Sequence, residues 1–216
     1  MYVKKIVFYI IKLNIKMDIF KLIDNDDFEG IKKLVNKNDS KKFFKKDILS
    51  IKNNKYENPL YYMVKKGKLE LIKEFLNIVS CDIYRILYTS IRFKKWDITK
   101  YLIDEKEIDV NFNFDNSEID YYFSLYEQIC YYGDVDIVKY IENKGIDKYK
   151  NYFPGVYAAS INNNLNVLKY LIEDLKHIKE VMNKTITVCY KKANQSGAIH
   201  VAKFLLDMDT SNHLLD

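Results

Sequence analysis

Apolar residues along this chain recur at helical spacing, in blocks that resemble one another. Six segments align: Phe28-Glu-Gly-Ile-Lys-Lys-Leu-Val35, Leu69-Glu-Leu-Ile-Lys-Glu-Phe-Leu76, Trp96-Asp-Ile-Thr-Lys-Tyr-Leu-Ile103, Val135-Asp-Ile-Val-Lys-Tyr-Ile-Glu142, Leu165-Asn-Val-Leu-Lys-Tyr-Leu-Ile172 and Ile199-His-Val-Ala-Lys-Phe-Leu-Leu206. Every block opens on an apolar residue and carries Lys at its fifth position. Apolar positions at i, i+3 and i+6 or i+7, with a second row beside them, form the stripe that a helix buries along one side. The constant Lys falls between the rows, so it is expected to face water. The starts at 28, 69, 96, 135, 165 and 199 lie about 34 residues apart on average. A fixed period of this size marks a repeat architecture, and the uneven spacing places insertions near 36–57 and 104–123.

A shorter apolar segment precedes each block. In Asn58-Pro-Leu-Tyr-Tyr-Met-Val-Lys-Lys-Gly67, Pro59 suits a helix start, where its missing N–H costs nothing, and Gly67 suits the end. Leu87 to Phe93, Tyr126 to Tyr132, Val156 to Asn162 and Tyr190 to Ser196 stand in the same register, each about two turns long. Gly67, Gly133 and Gly197 share the position between the paired helices, where a left-handed backbone favours Gly. Asp26, Lys94 and Asn163 fill it in the other copies.

The stretch from Asn58 to Leu76 resembles the ankyrin consensus T-P-L-H-x-A-A-x-x-G-H-L-E-I-V-K-x-L-L, and Gly133 to Ile141 is similar to its second half. Glu107-Ile-Asp-Val-Asn111 and Gly145-Ile-Asp147 resemble the turn that follows it. The implied fold is all-α, an ankyrin-type α-solenoid of about six helix-turn-helix repeats over 18–208. Residues 1–17 stand before it as an extension or capping helix, and 209–216 follow as a tail. One copy keeps the Pro, Tyr replaces His in several, and Met63 stands where the family prefers Ala; bulkier residues at helix contacts predict uneven stacking. In its richness in Lys, Asn, Ile and Tyr the chain is similar to the degenerate ankyrin proteins of large DNA viruses with AT-rich genomes.

Composition fits this picture. Six Gly and two Pro in 216 residues are few for a fold of many tight turns, which favours helices. The net charge of +5 is mild and mixed in sign. Cys81, Cys130 and Cys189 are far apart and odd in number, so they supply neither a disulfide framework nor a C-x-x-C metal pair. The compartment is expected to be intracellular and reducing. At the N-terminus the apolar run Ile6 to Ile11 lies between Lys5 and Lys12, too short for a signal core or a membrane span. An extra helix on the first repeat, an extension with Met17 as the working start, and a membrane-surface anchor all remain open readings of this segment.

Chemistry-bearing patterns are sparse. H-E-x-x-H, G-x-S-x-G, the Walker loop and G-x-G-x-x-G do not occur, so neither an enzyme nor a cofactor is expected. His177, His200 and His213 form no motif, and His200 takes an exposed position. The acidic runs Asp104 to Asp109 and Asp115 to Asp120 lack the Gly and closing Glu of a calcium loop and read as solvated. Cys130 and Cys189 read as buried small hydrophobes. The basic, aromatic run Lys41-Lys-Phe-Phe-Lys-Lys46, with Lys52 and Lys55, leaves nucleic-acid binding through 41–55 as the alternative to protein binding, disfavoured because no continuous basic stripe follows.

The resemblance implies a protein-binding scaffold or adaptor, monomeric and with no membrane span, whose partner in the viral case is a host protein. Family contacts lie on inter-repeat turns and at first-helix ends. By register those ends are Asp24 and Asn25, Lys65 and Lys66, Arg92 and Phe93, Tyr131 and Tyr132, Ile161 and Asn162, Gln195 and Ser196. Aromatic residues and Arg are enriched at hot spots, which points to Lys65, Lys66, Arg92, Phe93, Tyr131 and Tyr132 as the partner-binding set. Ten residues from Asp207 to Asp216 follow the last repeat helix, too few for an F-box-like segment.

Overall fold

The computed structural model describes residues 19–36, 48–111, 124–175 and 179–210. The extension at 1–17, Lys41 to Lys46, Asp115 to Asp120, His177, His213 and the end of the tail lie outside them. Among the described residues every regular element is helical and there is no β-strand. Helix α1 covers 19–24 and pairs with α2 (Phe28–Asn36). After a short 3-10 turn come α3 (Pro59–Lys66), α4 (Leu69–Ile78), α5 (Ile83–Arg92) and α6 (Trp96–Glu105). Next are α7 (Leu125–Tyr132), α8 (Val135–Glu142), α9 (Lys148–Ile161), α10 (Leu165–Leu175), α11 (Lys179–Ser196) and α12 (Ile199–Thr210). The even-numbered helices start at the first residues of the six sequence blocks.

Local chemistry accounts for several helix ends. Pro59 is at the first turn of α3, and the Asn58 side chain accepts from Tyr61 N at 2.8 Å. Asp82 caps α5, Asp134 caps α8, and Ser124 with Glu127 forms a reciprocal capping box on α7. Two expectations fail on length. Helices α9 and α11 run 14 and 18 residues rather than two turns. Pro154 and Gly155 lie inside α9, where Gly155 permits close packing. A β-carbon there would sit 2.7 Å from the Tyr126 ring and 3.1 Å from Cys130 Sγ.

The turn between paired helices is nearly the same structure each time. The residue in left-handed conformation is Asp26, Gly67, Lys94, Asn163 or Gly197, with φ between 54° and 74°. Its N–H donates to the carbonyl three residues back, and the next N–H donates to the one five back, as in Lys68 N to Met63 O (3.0 Å), Lys95 N to Ser90 O (2.8 Å) and Ala198 N to Ala193 O (2.8 Å). That is the Schellman arrangement, which satisfies carbonyls orphaned at a helix end. Gly133 departs from the expected left-handed form. Its φ is −79° and its ψ −171°, and a β-carbon on it would meet Ile129 O at 2.4 Å and Ile137 Cγ2 at 2.6 Å. This position needs Gly for lack of space, not for backbone handedness.

The chain forms two compact units, residues 1–100 and 101–216. In the first, α3 packs on α4 and α5, and α2 on α4. In the second, α7, α9 and α11 form one row and α8, α10 and α12 another, with contacts within each pair. Apolar faces fill the space between rows: Met63, Val64, Ile72 and Phe75 in the first unit, and Tyr126, Ile129, Val138, Leu168 and Leu205 in the second, are completely buried. Burial at about 25 cal/mol per Å² of apolar surface makes such residues the main source of stability.

The fifth-position Lys does more than face water. Lys139 lies over the Tyr170 ring (5.3 Å to its centre) and Lys169 over Phe204 (5.2 Å), so each covers the sixth-position ring of the next repeat. Tyr170 also donates to Glu142 Oε2 (2.6 Å), Tyr126 to Glu142 Oε1 (2.8 Å), and Tyr140 to Asp104 (2.8 Å). Partial burial and the Asp104 bond hold the Tyr140 phenol well above its ordinary pKa.

Candidate interaction surface

The positions predicted for partner contact are occupied in part by contacts within the molecule. Lys65 lies in the last turn of α3, forms an ion pair with Glu57, and stands over the Phe93 ring at 5.8 Å. Phe93 meets Tyr61 edge to face, with ring centres 5.4 Å apart. Desolvation alone would raise the Glu57 carboxyl, but hydrogen bonds from Lys65 and Asn53 carry it below its ordinary pKa, and the Glu57 bond raises Lys65. Lys66 pairs with Asp24 at 3.6 Å and covers the Tyr62 ring, whose hydroxyl donates to the same Asp24.

Arg92 is different: it is exposed and makes no ion pair among the described residues. Phe93 is half-buried. In the second unit Tyr131 and Tyr132 are half-buried with ring centres 4.6 Å apart, and Asn162 Nδ2 donates to Tyr131 O. The register therefore brings Lys65 to Phe93 and Tyr131 to Tyr132, while Lys66 is engaged by the first repeat.

One residue escaped the sequence reading. Tyr56 is 81% exposed, the most open large hydrophobic side chain among the described residues, and has φ 61°. It caps a turn organised by Asn53, whose side chain accepts from Lys55 N and Glu57 N and donates to Glu57. A bulky residue in left-handed conformation is disfavoured, so an exposed ring held there is a contact candidate. Its one sequence signal is an aromatic isolated within the polar run Asn53 to Asn58.

Open grooves of about 420 and 550 Å³ lie beside Ile108, Asn111 and Lys144 and beside Phe28, Gly67 and Glu74. Neither pairs a nucleophile with a base. No group of three or more His, Cys, Asp or Glu among the described residues could hold a metal. His200, Asp104, Glu107 and Asp109 are exposed. Burial raises Cys81 and Cys189 to a pKa of about 11 and Cys130 well above the ordinary thiol value, so none is a thiolate at neutral pH. Among the described residues no helix is long and apolar enough to cross a membrane. No protein-family model and no curated protein matches the chain.

Proposed function

We propose that the chain is an ankyrin-type repeat protein that works by binding a protein partner rather than by catalysis. The observation that carries this reading is the recurrence of one helix-turn-helix unit with the same left-handed turn in five of its six copies. Two further contacts support the ankyrin resemblance. Glu107 and Gly145, matched on sequence as one turn position, both have positive φ, and Asn111 ties the two turns together through Gly145 O (3.3 Å) and Asp147 N (3.0 Å).

Repeats of this kind use their apolar faces on each other and leave helix ends and turns for a ligand. The first unit offers Tyr56, Arg92 and Phe93; the second offers Tyr131 and Tyr132. The free, largely buried thiols Cys81, Cys130 and Cys189 fit a reducing compartment, and the viral likeness puts a host protein first among partners.

Affinity capture with the full chain from the native cell, followed by mass spectrometry, identifies the partner. Loss of Phe93, Tyr131 and Tyr132 to Ala should then weaken capture roughly tenfold or more, with the helical circular-dichroism signal unchanged. Undiminished capture by that variant would remove these residues from the site, and an empty capture by the wild type would remove the binding reading itself.

A further inference from the structure

We propose that the turn made by Arg92, Lys94 and Lys95 above Gly67 docks an acidic segment of a partner protein, one of whose carboxylates sits over Gly67. The inference rests on the binding reading and specifies the chemistry of the partner.

The molecule contains its own example of this seating one repeat earlier. Lys68 follows the left-handed residue of its turn, reaches back to the preceding turn, and bonds Asp26 Oδ2 at 2.6 Å. Asp26 is itself the left-handed residue there. Lys95 holds the equivalent place in the next repeat and reaches back in the same way. Its Cδ, Cε and Nζ lie 3.4, 3.6 and 3.6 Å from where a β-carbon on Gly67 would be. Because the left-handed residue is now Gly, the cation is in place and its carboxylate is missing.

Of the acids that line the groove beside Gly67, Asp26 is paired with Lys68 and Glu70 with Lys73, which leaves Glu74 against three uncommitted cations. Arg92 and Lys94 are exposed, and Arg92, Lys94 and Lys95 make no ion pair among the described residues. Lys65 and Lys66 are committed to Glu57 and Asp24. The nearest acid along the chain is Asp97, exposed in the first turn of α6. A carboxylate over Gly67 would face Lys95, and a neighbouring one suits the guanidinium fork of Arg92.

A phosphate backbone fits less well. It requires a continuous cationic track with open ring faces for its bases. Here the flanking lysines are neutralised by the chain's own carboxylates, and the Tyr61 and Phe93 rings meet edge to face.

The test measures fluorescence anisotropy of labelled hexaglutamate with the full chain at low salt. Gly67→Asp supplies the missing carboxylate internally, in a backbone conformation that Asp26 already tolerates, and should weaken binding roughly tenfold. Gly67→Asn has the same shape without the charge and should stay within about twofold of wild type, as should Lys52→Ala, which removes an exposed charge elsewhere. Equal weakening by Gly67→Asp and Gly67→Asn, or by Lys52→Ala, overturns the proposal. So does tighter binding of hexathymidylate than of hexaglutamate. None of these variants alters Phe93, Tyr131 or Tyr132, so the partner-capture test and this one can fail independently.

Discussion

Gly67 and Gly133 stand at the same place in the repeat, yet each favours Gly for a different reason. Gly67 has φ 74° and open surroundings, with only the flexible end of Lys95 within 3.6 Å of a would-be β-carbon. Gly133 has an ordinary φ of −79° and no room, because Ile129 O and Ile137 Cγ2 would lie 2.4 and 2.6 Å away. A single letter in a repeat alignment thus stands for two constraints, one on backbone handedness and one on the distance between helices.

Substitution separates the two most sharply. Gly133→Ala forces a β-carbon into a backbone carbonyl and should cost about 3 kcal/mol, the upper end for overpacking. Gly67→Ala incurs only the left-handed penalty of about 1 kcal/mol. Urea unfolding of the two variants gives the order directly. If Gly67→Ala were the more damaging, steric closure at Gly133 would not be the reason for its glycine.

The next repeat holds these turns differently too. Asn164 Nδ2 donates to both Cys130 O (3.0 Å) and Gly133 O (2.8 Å), with the amide half-buried. Lys95, itself half-buried, lies over Gly67 and makes no ion pair among the described residues. Asn164→Ala leaves two carbonyls short of a donor and should destabilise by about 2 kcal/mol. Lys95→Ala removes a half-buried side chain that makes no hydrogen bond or ion pair among the described residues, and should change stability by less than about 0.5 kcal/mol. Equal losses in thermal unfolding would mean that the Asn164 amide is not what secures the Gly133 turn.

The same contrast explains what the sequence could disclose. Helix starts at Phe28, Leu69, Trp96, Val135, Leu165 and Ile199 are legible because apolar period and turn chemistry are local properties. Asp26, Lys94 and Asn163 could be matched to Gly67 by register alone, since a left-handed residue follows from the helix it ends. The space around Gly133 is set by Ile129 and Ile137, and the length of α9 by packing that accepts Pro154, so neither was readable. The fifth-position Lys was visible as a pattern, but its rings at Tyr170 and Phe204 lie a repeat away. At the candidate surface, register located Lys65, Lys66, Arg92 and Phe93 but not the pairing of Lys65 with Glu57 or Lys66 with Asp24, which decides which cations remain uncommitted.

Lys94 tests the handedness half of the comparison in the opposite direction, through a gain in stability. It holds φ 54° with an exposed side chain and no ion pair among the described residues, so its backbone strain is offset by no visible contact. Lys94→Gly removes the β-carbon from a left-handed position, a gain of about 1 to 2 kcal/mol. Part of that gain is lost because Gly raises the conformational entropy of the unfolded chain, by about 0.5 to 1 kcal/mol. The balance predicts a net stabilisation of about 0 to 1.5 kcal/mol in urea unfolding. Gly133→Lys, the reverse exchange at the crowded turn, should fail to give a folded protein. A Lys94→Gly variant less stable than wild type would show that this turn tolerates Lys through a contact its open geometry does not reveal, and the division between handedness and space would fail at its simplest site.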